Sequence, residues 1–316
     1  MDTRTEKIRA AAKKLLSEGK VDVVIGYRAG SVPLRNAPYF ARTPEEAENF
    51  MWDSNCRVNL ATFVPKRQDR IAVVAKGCDA RNIINHIVEH QISRDQVYII
   101  GVPCEGMVEP ALIMAQVPDG QTVLEAVENN GKITVKGRDF NVTLEKADVL
   151  RQNCRTCLHR NPPVYDEMVA EPVPETAADP YQDLKELLDQ TEEERWDYYQ
   201  ELVKDCLRCY ACRDACPLCY CSVCFVDETM PQWVGKSQDA TDVFTFHLLR
   251  AYHCAGRCTD CGACESACPV GIQMRQFTRV LEKSIKERYG YEAGLDPDKK
   301  PPLTVFLPDD PQEFIK

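Results

Sequence analysis

Two runs of cysteines with the same spacing constrain this chain more than any other feature. Both runs follow the order Cys-x2-Cys-x2-Cys-x3-Cys-Pro, and their cysteines are Cys206, Cys209, Cys212 and Cys216, then Cys258, Cys261, Cys264 and Cys268. Three thiolates at i, i+3 and i+6 can surround three corners of a cubane cluster, and the proline redirects the chain so that the fourth cysteine reaches the neighbouring cluster. The spacing therefore predicts two [4Fe-4S] clusters with crossed ligation.

In the crossed scheme, each cluster takes three ligands from one run and one ligand from the other. The ligands of the first cluster would be Cys206, Cys209, Cys212 and Cys268. The ligands of the second would be Cys258, Cys261, Cys264 and Cys216. The alternative metal is zinc, whose structural sites favour two separated Cys-x2–4-Cys pairs over three cysteines in one run. We therefore expect iron–sulfur clusters, whereas a zinc-binding module would be colourless.

The residues around the two runs are expected to be helical. The sequence TEEE at 191–194 forms a capping box, and DATDVFTFHLLRAYH before Cys258 predicts another helix. An apolar stripe at helical spacing follows the second run and comprises Phe277, Val280, Leu281, Ile285 and Tyr289. The stretch HLLRAYHCAGRCTDCGACESACP resembles the helical ferredoxin domain found in the small iron–sulfur subunit of heterodisulfide reductase and in succinate dehydrogenase iron–sulfur subunits. This resemblance implies a mostly α-helical domain with two [4Fe-4S] clusters, which we expect over residues 191–290.

The N-terminal half alternates between helix and strand patterns. TEKIRAAAKKLLSEG predicts a helix that ends at Gly19, and CDARNIINHIVEHQI predicts a helix that begins at Cys78. Three apolar stretches, VDVVIGY, RIAVVAKG and VYIIGVPC, predict buried strands. The alternation favours an α/β domain with a mainly parallel sheet, which binds ligands at the carboxyl ends of its strands. We expect this domain over residues 1–168.

Four cysteines of the N-terminal half form a candidate third metal centre. Cys78 and Cys104 each follow a predicted strand, and Cys154 and Cys157 form a Cys-x2-Cys pair. The helix that begins at Cys78 favours its thiolate, because the amino end of a helix carries a partial positive charge. The alternative is a pair of buried free thiols, Cys78 and Cys104, with an unrelated Cys-x2-Cys pair.

The segments around these cysteines resemble a known family. KGCDAR (76–81), GVPC (101–104) and CRTCLHRNPPVYDEMVAEP (154–172) are similar to the beta subunits of hydrogenases and formate dehydrogenases that reduce the deazaflavin coenzyme F-420. The resemblance implies that Cys78, Cys104, Cys154 and Cys157 ligate a third [4Fe-4S] cluster. The flavin-binding stretch of that family usually contains a Gly-Gly pair, which residues 27–47 lack, and no GxGxxG motif occurs. Bound FAD is therefore an open alternative, with no flavin-binding residues identified.

Five cysteines remain after these assignments. Cys219, Cys221 and Cys224 are close enough in sequence to share a metal, with Cys254 or Cys56 as a fourth ligand. The alternatives are a fourth iron–sulfur centre, a zinc site, and thiols that only pack near the clusters. A separate pattern, His86-x-x-Glu89-His90, matches an inverted zinc-protease motif. With no third ligand in view, we interpret it as a solvated helix face.

Charge and hydropathy exclude several classes of protein. The formal charge is −10 and no basic stripe occurs, which argues against binding to nucleic acid. No stretch has about 18 consecutive apolar residues, and the first residues lack the pattern of a signal peptide. We therefore expect a cytoplasmic protein without a membrane span. The acidic, proline-containing residues 169–190 predict a linker, and 291–316 predict a C-terminal tail.

These observations predict an iron–sulfur electron-transfer subunit of an anaerobic oxidoreductase complex. No catalytic residue is identified, because no nucleophile–base pair or phosphate-binding loop occurs in the sequence. By resemblance, the expected partners are a heterodisulfide-reductase-like flavoprotein, a hydrogenase or a formate dehydrogenase. The alternative function is a flavin-containing subunit that reduces a diffusible hydride carrier, either a deazaflavin or a nicotinamide.

Overall fold

The computed structural model describes residues 3–176, 179–306, 308 and 310. The chain divides into two compact units: unit 1 is Met1–Ala80 with Ile92–Ala177, and unit 2 is Arg81–Gln91 with Ala178–Lys316. The division therefore differs from the expected domain bounds, because residues 81–91 join unit 2. The predicted linker 169–190 and tail 291–316 lie partly outside the described residues.

A mainly parallel sheet forms the centre of unit 1, as the alternating pattern predicts. Its strands are β1 (Val23–Ala29), β2 (Asn36–Ala41), β3 (Ile71–Ala75), β4 (Val97–Gly101) and β8 (Glu167–Met168), in the order β2-β1-β3-β4-β8. The pairs β1/β3, β3/β4 and β4/β8 are parallel, and β2 runs antiparallel to β1. Every residue of β3 is buried, which explains its unbroken apolar sequence.

A second sheet in unit 1 contains three antiparallel strands. These are β5 (Glu125–Asn129), β6 (Lys132–Lys136) and β7 (Asn141–Glu145), in the order β5-β6-β7. Asn130 and Gly131 connect the first two strands, and both have positive φ angles, 49° and 74°. That backbone suits the tight turn of a two-residue hairpin. Only the side chains of Ile133 and Val135 from this sheet are fully buried.

The helices of unit 1 pack apolar faces against the sheets. They are α1 (Thr3–Ser17), α3 (Pro110–Met114), α4 (Gln152–Arg155) and the start of α2 (Gly77–Val88), with 3-10 helices at Glu46–Asn49, Leu60–Phe63, Arg94–Gln96 and Lys146–Val149. Helix α1 buries Ile8, Ala11, Ala12 and Leu15, a spacing that places them on one face. Burial of Ile8 or Leu15 contributes about 1.5–3 kcal/mol each.

From Arg81 onward, helix α2 belongs to unit 2 because its polar side chains bind that unit's backbone. Arg81 Nε donates to the Ala293 carbonyl at 2.9 Å, and Asn85 Nδ2 donates to the Arg257 carbonyl at 2.7 Å. The interpretation of His86, Glu89 and His90 as a solvated helix face is wrong for the first of these. His86 is 0% exposed and its ring meets that of Tyr220 edge-on.

Unit 2 is helical, with one short helix inside each cysteine run. Its helices are α5 (Lys185–Leu188), α6 (Glu192–Val203), α7 (Ala211–Asp214), α8 (Ala240–His253), α9 (Ala263–Ser266) and α10 (Arg275–Tyr289), with 3-10 helices at Gln182–Leu184 and Pro302–Thr304. The predicted capping box is present, with Thr191 and Glu194 bonding to each other's backbone N–H. Val203, Val243, Phe246 and Phe277 form part of one apolar core. Within the described ranges, no helix combines the length and apolarity that a bilayer crossing needs.

Candidate metal centres

The two cysteine runs have the same local fold. In each run, the residue two after the first cysteine has left-handed backbone, with φ 50° at Arg208 and 55° at Asp260. This turn directs backbone N–H groups at sulfur: Arg208 N lies 3.4 Å from Cys206 Sγ, and Asp260 N lies 3.4 Å from Cys258 Sγ. An amide donor favours a thiolate, so each loop is shaped to hold an anionic ligand.

The fourth cysteine of each run lies among the cysteines of the other run. Cys206 and Cys212 both interact electrostatically with Cys268. The thiol of Cys264 interacts with Cys216 as well as with Cys261. Helices α7 and α9, which contain the third cysteine of each run, contact each other. The structure thus brings together members of both predicted sets of four.

Thiolate ligands of a single zinc ion and of an iron–sulfur cluster differ in their spacing. Among the described residues, no group of three or more His, Cys, Asp or Glu side chains has the arrangement of a single-ion site. Zinc would draw its thiolates to about 2.3 Å from one point. A [4Fe-4S] cluster puts four irons and four sulfides between its ligands, so its thiolates lie farther apart. Cys206 and Cys258, each with a backbone amide 3.4 Å from its sulfur, are candidate ligands of such clusters.

Helix α8 supplies two further polar groups to these cysteines. His247 Nε2 lies 3.3 Å from Cys206 Sγ. Burial, and then the cations Arg250 and Arg208, lower the pKa of His247 to about 4, so its ring is neutral and can donate an N–H to sulfur. Arg250 Nη2 donates to the Cys212 carbonyl at 3.1 Å. Burial opposes the charge of Arg250, but the thiolates of Cys216 and Cys264 raise its pKa well above the ordinary value.

Acidic residues lie around the second run, and two of them, Asp260 and Glu265, pair with the buried Arg275. Arg275 donates to Asp260 Oδ2 at 2.7 Å and to Glu265 Oε2 at 3.2 Å. Burial raises the pKa of Glu282 to about 8, and this carboxyl accepts the Gly256 N–H at 3.1 Å. Positions 208 and 260 are equivalent in the two runs, so an arginine in the first run corresponds to an aspartate in the second.

The leftover cysteines separate into distinct environments. Hydrogen bonds from Cys219 and Cys254 lower the pKa of Cys216 well below its ordinary value, so these three thiols contact one another. Cys224 packs against the apolar core of unit 2, and Cys221 is exposed. In unit 1, Cys56 Sγ accepts Asn36 Nδ2 at 3.4 Å, and burial raises the pKa of this thiol. Cys219 and Cys254 therefore both lie next to Cys216, a proposed cluster ligand.

Three segments converge at the carboxyl ends of β3 and β4, where the third centre is expected. Gly77 opens helix α2, and a Cβ at this position would collide with the His159 carbonyl. The Cys104 N–H donates to the Arg160 carbonyl at 3.0 Å. These two contacts place the start of α2 and the end of β4 against the residues that follow the Cys154/Cys157 pair. The parallel sheet therefore gathers the segments that carry all four cysteines.

The thiols of this candidate third centre are also turned toward backbone donors. Gly106 N lies 3.4 Å from Cys104 Sγ, and Met107 N lies 3.4 Å from Cys154 Sγ. Burial raises the pKa of Cys104 to about 11, and the nearby Cys154 thiol adds to this effect. Cys78 interacts electrostatically with Lys76. Cys157 is half-buried.

A buried ion pair next to this centre was not found by sequence reasoning. Lys76 Nζ bonds to Asp79 Oδ2 at 2.7 Å, to the Tyr27 hydroxyl at 2.8 Å and to the Val58 carbonyl at 3.1 Å. Lys76 is 2% exposed and Asp79 is fully buried. Burial disfavours the ammonium, but Asp79 raises the pKa of Lys76 well above its ordinary value. In the sequence, the sign of this ion pair is a lysine and an aspartate three residues apart at the end of a predicted strand.

Comparison with known proteins supports the resemblance of the N-terminal half. No family model matches the chain. The F420-dependent formate dehydrogenase subunit beta of Methanocaldococcus jannaschii is 25% identical in an alignment that covers 94% of this chain and 93% of that protein. The F420-dependent formate dehydrogenase 1 subunit beta of Methanococcus maripaludis is 26% identical in an alignment that covers 95% of this chain and 93% of that protein.

A solved structure, the xenon-derivatised F420-reducing [NiFe] hydrogenase complex from Methanosarcina barkeri, also matches. The TM-score is 0.36 at 19% identity, and the match covers 51% of this chain and 59% of that chain. The two curated relatives extend over most of both proteins. The chain therefore resembles the beta subunits of F420-dependent formate dehydrogenase along most of its length, and the resemblance predicted for its N-terminal half is confirmed.

Proposed function

We propose that this protein is an iron–sulfur electron-transfer subunit of a multi-subunit anaerobic oxidoreductase. In this role it would relay low-potential electrons between redox sites on its partners. Bound [4Fe-4S] clusters would supply the one-electron carriers. The ligands proposed for the two clusters of unit 2 are the crossed sets, one completed by Cys268 and the other by Cys216.

The observation that supports this proposal most is which cysteines lie near the fourth cysteine of each run. Cys268 interacts with Cys206 and Cys212 of the first run. Cys216 interacts with Cys264 of the second run. Crossed ligation requires this exchange, and neither a zinc site within one run nor inert packing of thiols would require it. The exchange therefore favours two clusters that share ligands.

The protein's own residues would tune the clusters in three ways. Backbone N–H groups of the two loops donate to ligand sulfur, as at Cys206 and Cys258. Side chains of helix α8 bring a neutral imidazole and a guanidinium beside the thiolates. Burial limits water at most of the ligands, since Cys209 is the exposed member of the eight cysteines in the two runs. Hydrogen bonds, charge and exposure are the properties that set cluster potentials.

The relatives support a place within a redox complex. Both are named as beta subunits of F420-dependent formate dehydrogenases. We propose partners of that kind for this chain, namely the other subunits of a formate dehydrogenase, a hydrogenase or a heterodisulfide-reductase-like flavoprotein. The resemblance of the C-terminal half to the small iron–sulfur subunit of heterodisulfide reductase stays a prediction from residues 247–269.

A third cluster at Cys78, Cys104, Cys154 and Cys157 is part of the same proposal. The convergence of their three segments supports it, as do the amide donors at Cys104 and Cys154. The contact of Cys219 and Cys254 with Cys216 gives these two thiols a role as hydrogen-bond donors to a ligand. We therefore favour three clusters and assign no separate fourth centre.

A cleft in unit 1 favours the second candidate function, a flavin-containing subunit that reduces a deazaflavin or a nicotinamide. The cleft has a volume of about 1150 Å³, and its lining includes Arg9, Trp52, Glu105, Lys146 and Arg160. This volume slightly exceeds that of ordinary ligand pockets, which measure about 300–1,000 Å³. Glu105 directly follows Cys104, so a flavin in this cleft would be near the proposed third cluster.

Chemical analysis of protein purified without oxygen tests these proposals. We expect about twelve irons and twelve acid-labile sulfides per chain, four of each for every cluster, and no stoichiometric flavin. About eight irons would contradict the third cluster alone, and about sixteen would restore a fourth centre around Cys219, Cys221 and Cys224. Zinc in place of iron would contradict the electron-transfer function. One flavin per chain at any iron count would favour the second candidate.

A further inference from the structure

Helix α8 presents one neutral and one positively charged side chain to the proposed clusters. His247 and Arg250 are three residues apart and therefore on one face of the helix. His247 reaches a single ligand of the first run, Cys206, at 3.3 Å. Arg250 contacts the first run through the Cys212 carbonyl and interacts electrostatically with Cys216 and Cys264, two proposed ligands of the second cluster.

Arg250 lacks a carboxylate partner of the kind that Arg275 and Arg279, two other buried arginines of unit 2, have. Arg275 pairs with Asp260 and Glu265, and Arg279 pairs with Asp183. Among the residues that the structure describes, no carboxylate pairs with Arg250. Arg250 is 6% exposed, and its Nε is buried without a hydrogen-bond partner in the same described set.

A buried cation without a counter-ion costs several kcal/mol, so an anion must offset this charge. The groups that can do so are the thiolates with which Arg250 interacts. That of Cys212 would belong to one cluster, and those of Cys216 and Cys264 to the other. Two anionic clusters held by these ligands would supply the missing counter-charge and would explain the burial of Arg250 without a carboxylate partner.

We propose that Arg250 is the counter-ion shared by both clusters of unit 2 and sets both of their reduction potentials, whereas His247 acts on the first cluster alone. This inference rests on the proposed function, because it requires both clusters to be bound. Arg250 is a positioning residue here, since it acts on the clusters through charge and carries no electron itself.

The sign of each effect follows from electrostatics. Reduction adds one negative charge to a cluster, and a nearby cation stabilises the reduced form. Removal of the Arg250 charge should therefore lower the potentials of both clusters. A hydrogen bond to ligand sulfur also stabilises the reduced form. Removal of the His247 N–H should lower the potential of the cluster that contains Cys206 and leave the other unchanged.

The test is an anaerobic redox titration of the full chain, followed by electron paramagnetic resonance, for wild type, Arg250→Gln and His247→Leu. In Arg250→Gln we expect the reduction equilibrium of both clusters to fall about tenfold, or ~59 mV for a one-electron couple. In His247→Leu we expect a fall in one cluster only. Arg250→Lys should restore both potentials, because it retains the charge.

Arg213→Gln is the matched control. Arg213 directly follows Cys212, but it pairs with Asp214 and Asp227 at 2.9 Å each. Its charge is already compensated at the surface, so its loss should change either equilibrium less than about twofold. An equal shift in this control would show that any arginine near the run has the same effect, and would overturn the special role of Arg250.

The possible results distinguish a failure of the role proposed for Arg250 from a failure of the proposed electron-transfer function. Wild-type protein with fewer than about eight irons would overturn both. Two intact clusters whose potentials do not change in Arg250→Gln, or of which only one changes, would overturn the shared role alone. If Arg250→Gln fails to bind clusters, Arg250→Lys decides the matter: retention of both clusters in the lysine variant supports the counter-ion role, and their loss contradicts it.

Discussion

Replacement of Cys268 by alanine is expected to abolish the cluster of the first run, although Cys268 belongs to the second run. The variant should lose about four of the irons bound by the chain, because Cys268 completes the set formed by Cys206, Cys209 and Cys212. The basis is the interaction of Cys268 with Cys206 and Cys212. Iron analysis and electron paramagnetic resonance of the reduced protein measure this loss.

Double variants distinguish crossed from uncrossed ligation. If the ligation is crossed, Cys209→Ala with Cys268→Ala should lose about four irons, as either change does alone, because both ligands belong to one cluster. Cys261→Ala with Cys268→Ala should lose about eight. If the ligation is uncrossed, the first double variant should lose about eight irons and the second about four, which would contradict crossed ligation. Cys221→Ala is the control, since this exposed cysteine is not assigned to a cluster.

Replacement of Asp79 by asparagine is expected to destabilise the main sheet of unit 1 severely. The carboxylate is the counter-ion of buried Lys76, and it also accepts the Leu60 N–H at 3.0 Å. Removal of one partner of a buried ion pair leaves an uncompensated charge and costs about 3–5 kcal/mol. Native-state hydrogen exchange of β1 and β3 amides should therefore accelerate about a hundredfold or more.

Two further variants check the cause of this destabilisation. Asp69→Asn removes a carboxylate that pairs with Arg67 nearer the surface, and it should cost no more than about 1 kcal/mol. Lys76→Met combined with Asp79→Asn removes the unpaired cation and should recover part of the stability. Equal exchange rates in Asp79→Asn and Asp69→Asn would contradict the importance of the buried pair.

Sequence reasoning succeeded where a local pattern determines the structure directly. The apolar stretches before Cys78 and Cys104 predicted β3 and β4, because strands buried on both faces need unbroken apolar sequence. Gly19 was expected to end helix α1, and it follows that helix with a φ of 62°. The capping box at Thr191 predicted the start of α6 for a similarly local reason.

Features that depend on distant residues were missed. Strands β5 and β7 alternate exposed and half-buried positions, and β6 alone buries side chains fully, so the Asn130–Gly131 turn is the clearest sign of a hairpin in this sequence. The burial of His86 depends on Tyr220, far away in sequence. The transfer of residues 81–91 to unit 2 likewise depends on bonds to residues 257–259 and 293, which no local pattern reveals.

The candidate metal centres also combine features that a local pattern predicts with features that depend on distant residues. The spacing of the cysteines predicted that each run forms a loop, because that pattern is local to the run. It could not reveal Arg250 and His247, since a histidine or an arginine in an amphipathic helix is usually a surface residue. Their contacts with Cys206 and Cys212 depend on how α8 packs beside the runs. The roles of Cys219 and Cys254 also became visible only through their contact with Cys216.

The most direct test of the central claim is a stepwise reductive titration of the wild-type chain without oxygen. Dithionite would be the reductant, and visible absorbance and electron paramagnetic resonance would be recorded at each step. We expect a brown protein that takes up about three electrons per chain in one-electron steps, with signals of reduced [4Fe-4S] clusters. A colourless protein that takes up no electrons would contradict it, as would a chain whose only reducible group is a two-electron flavin.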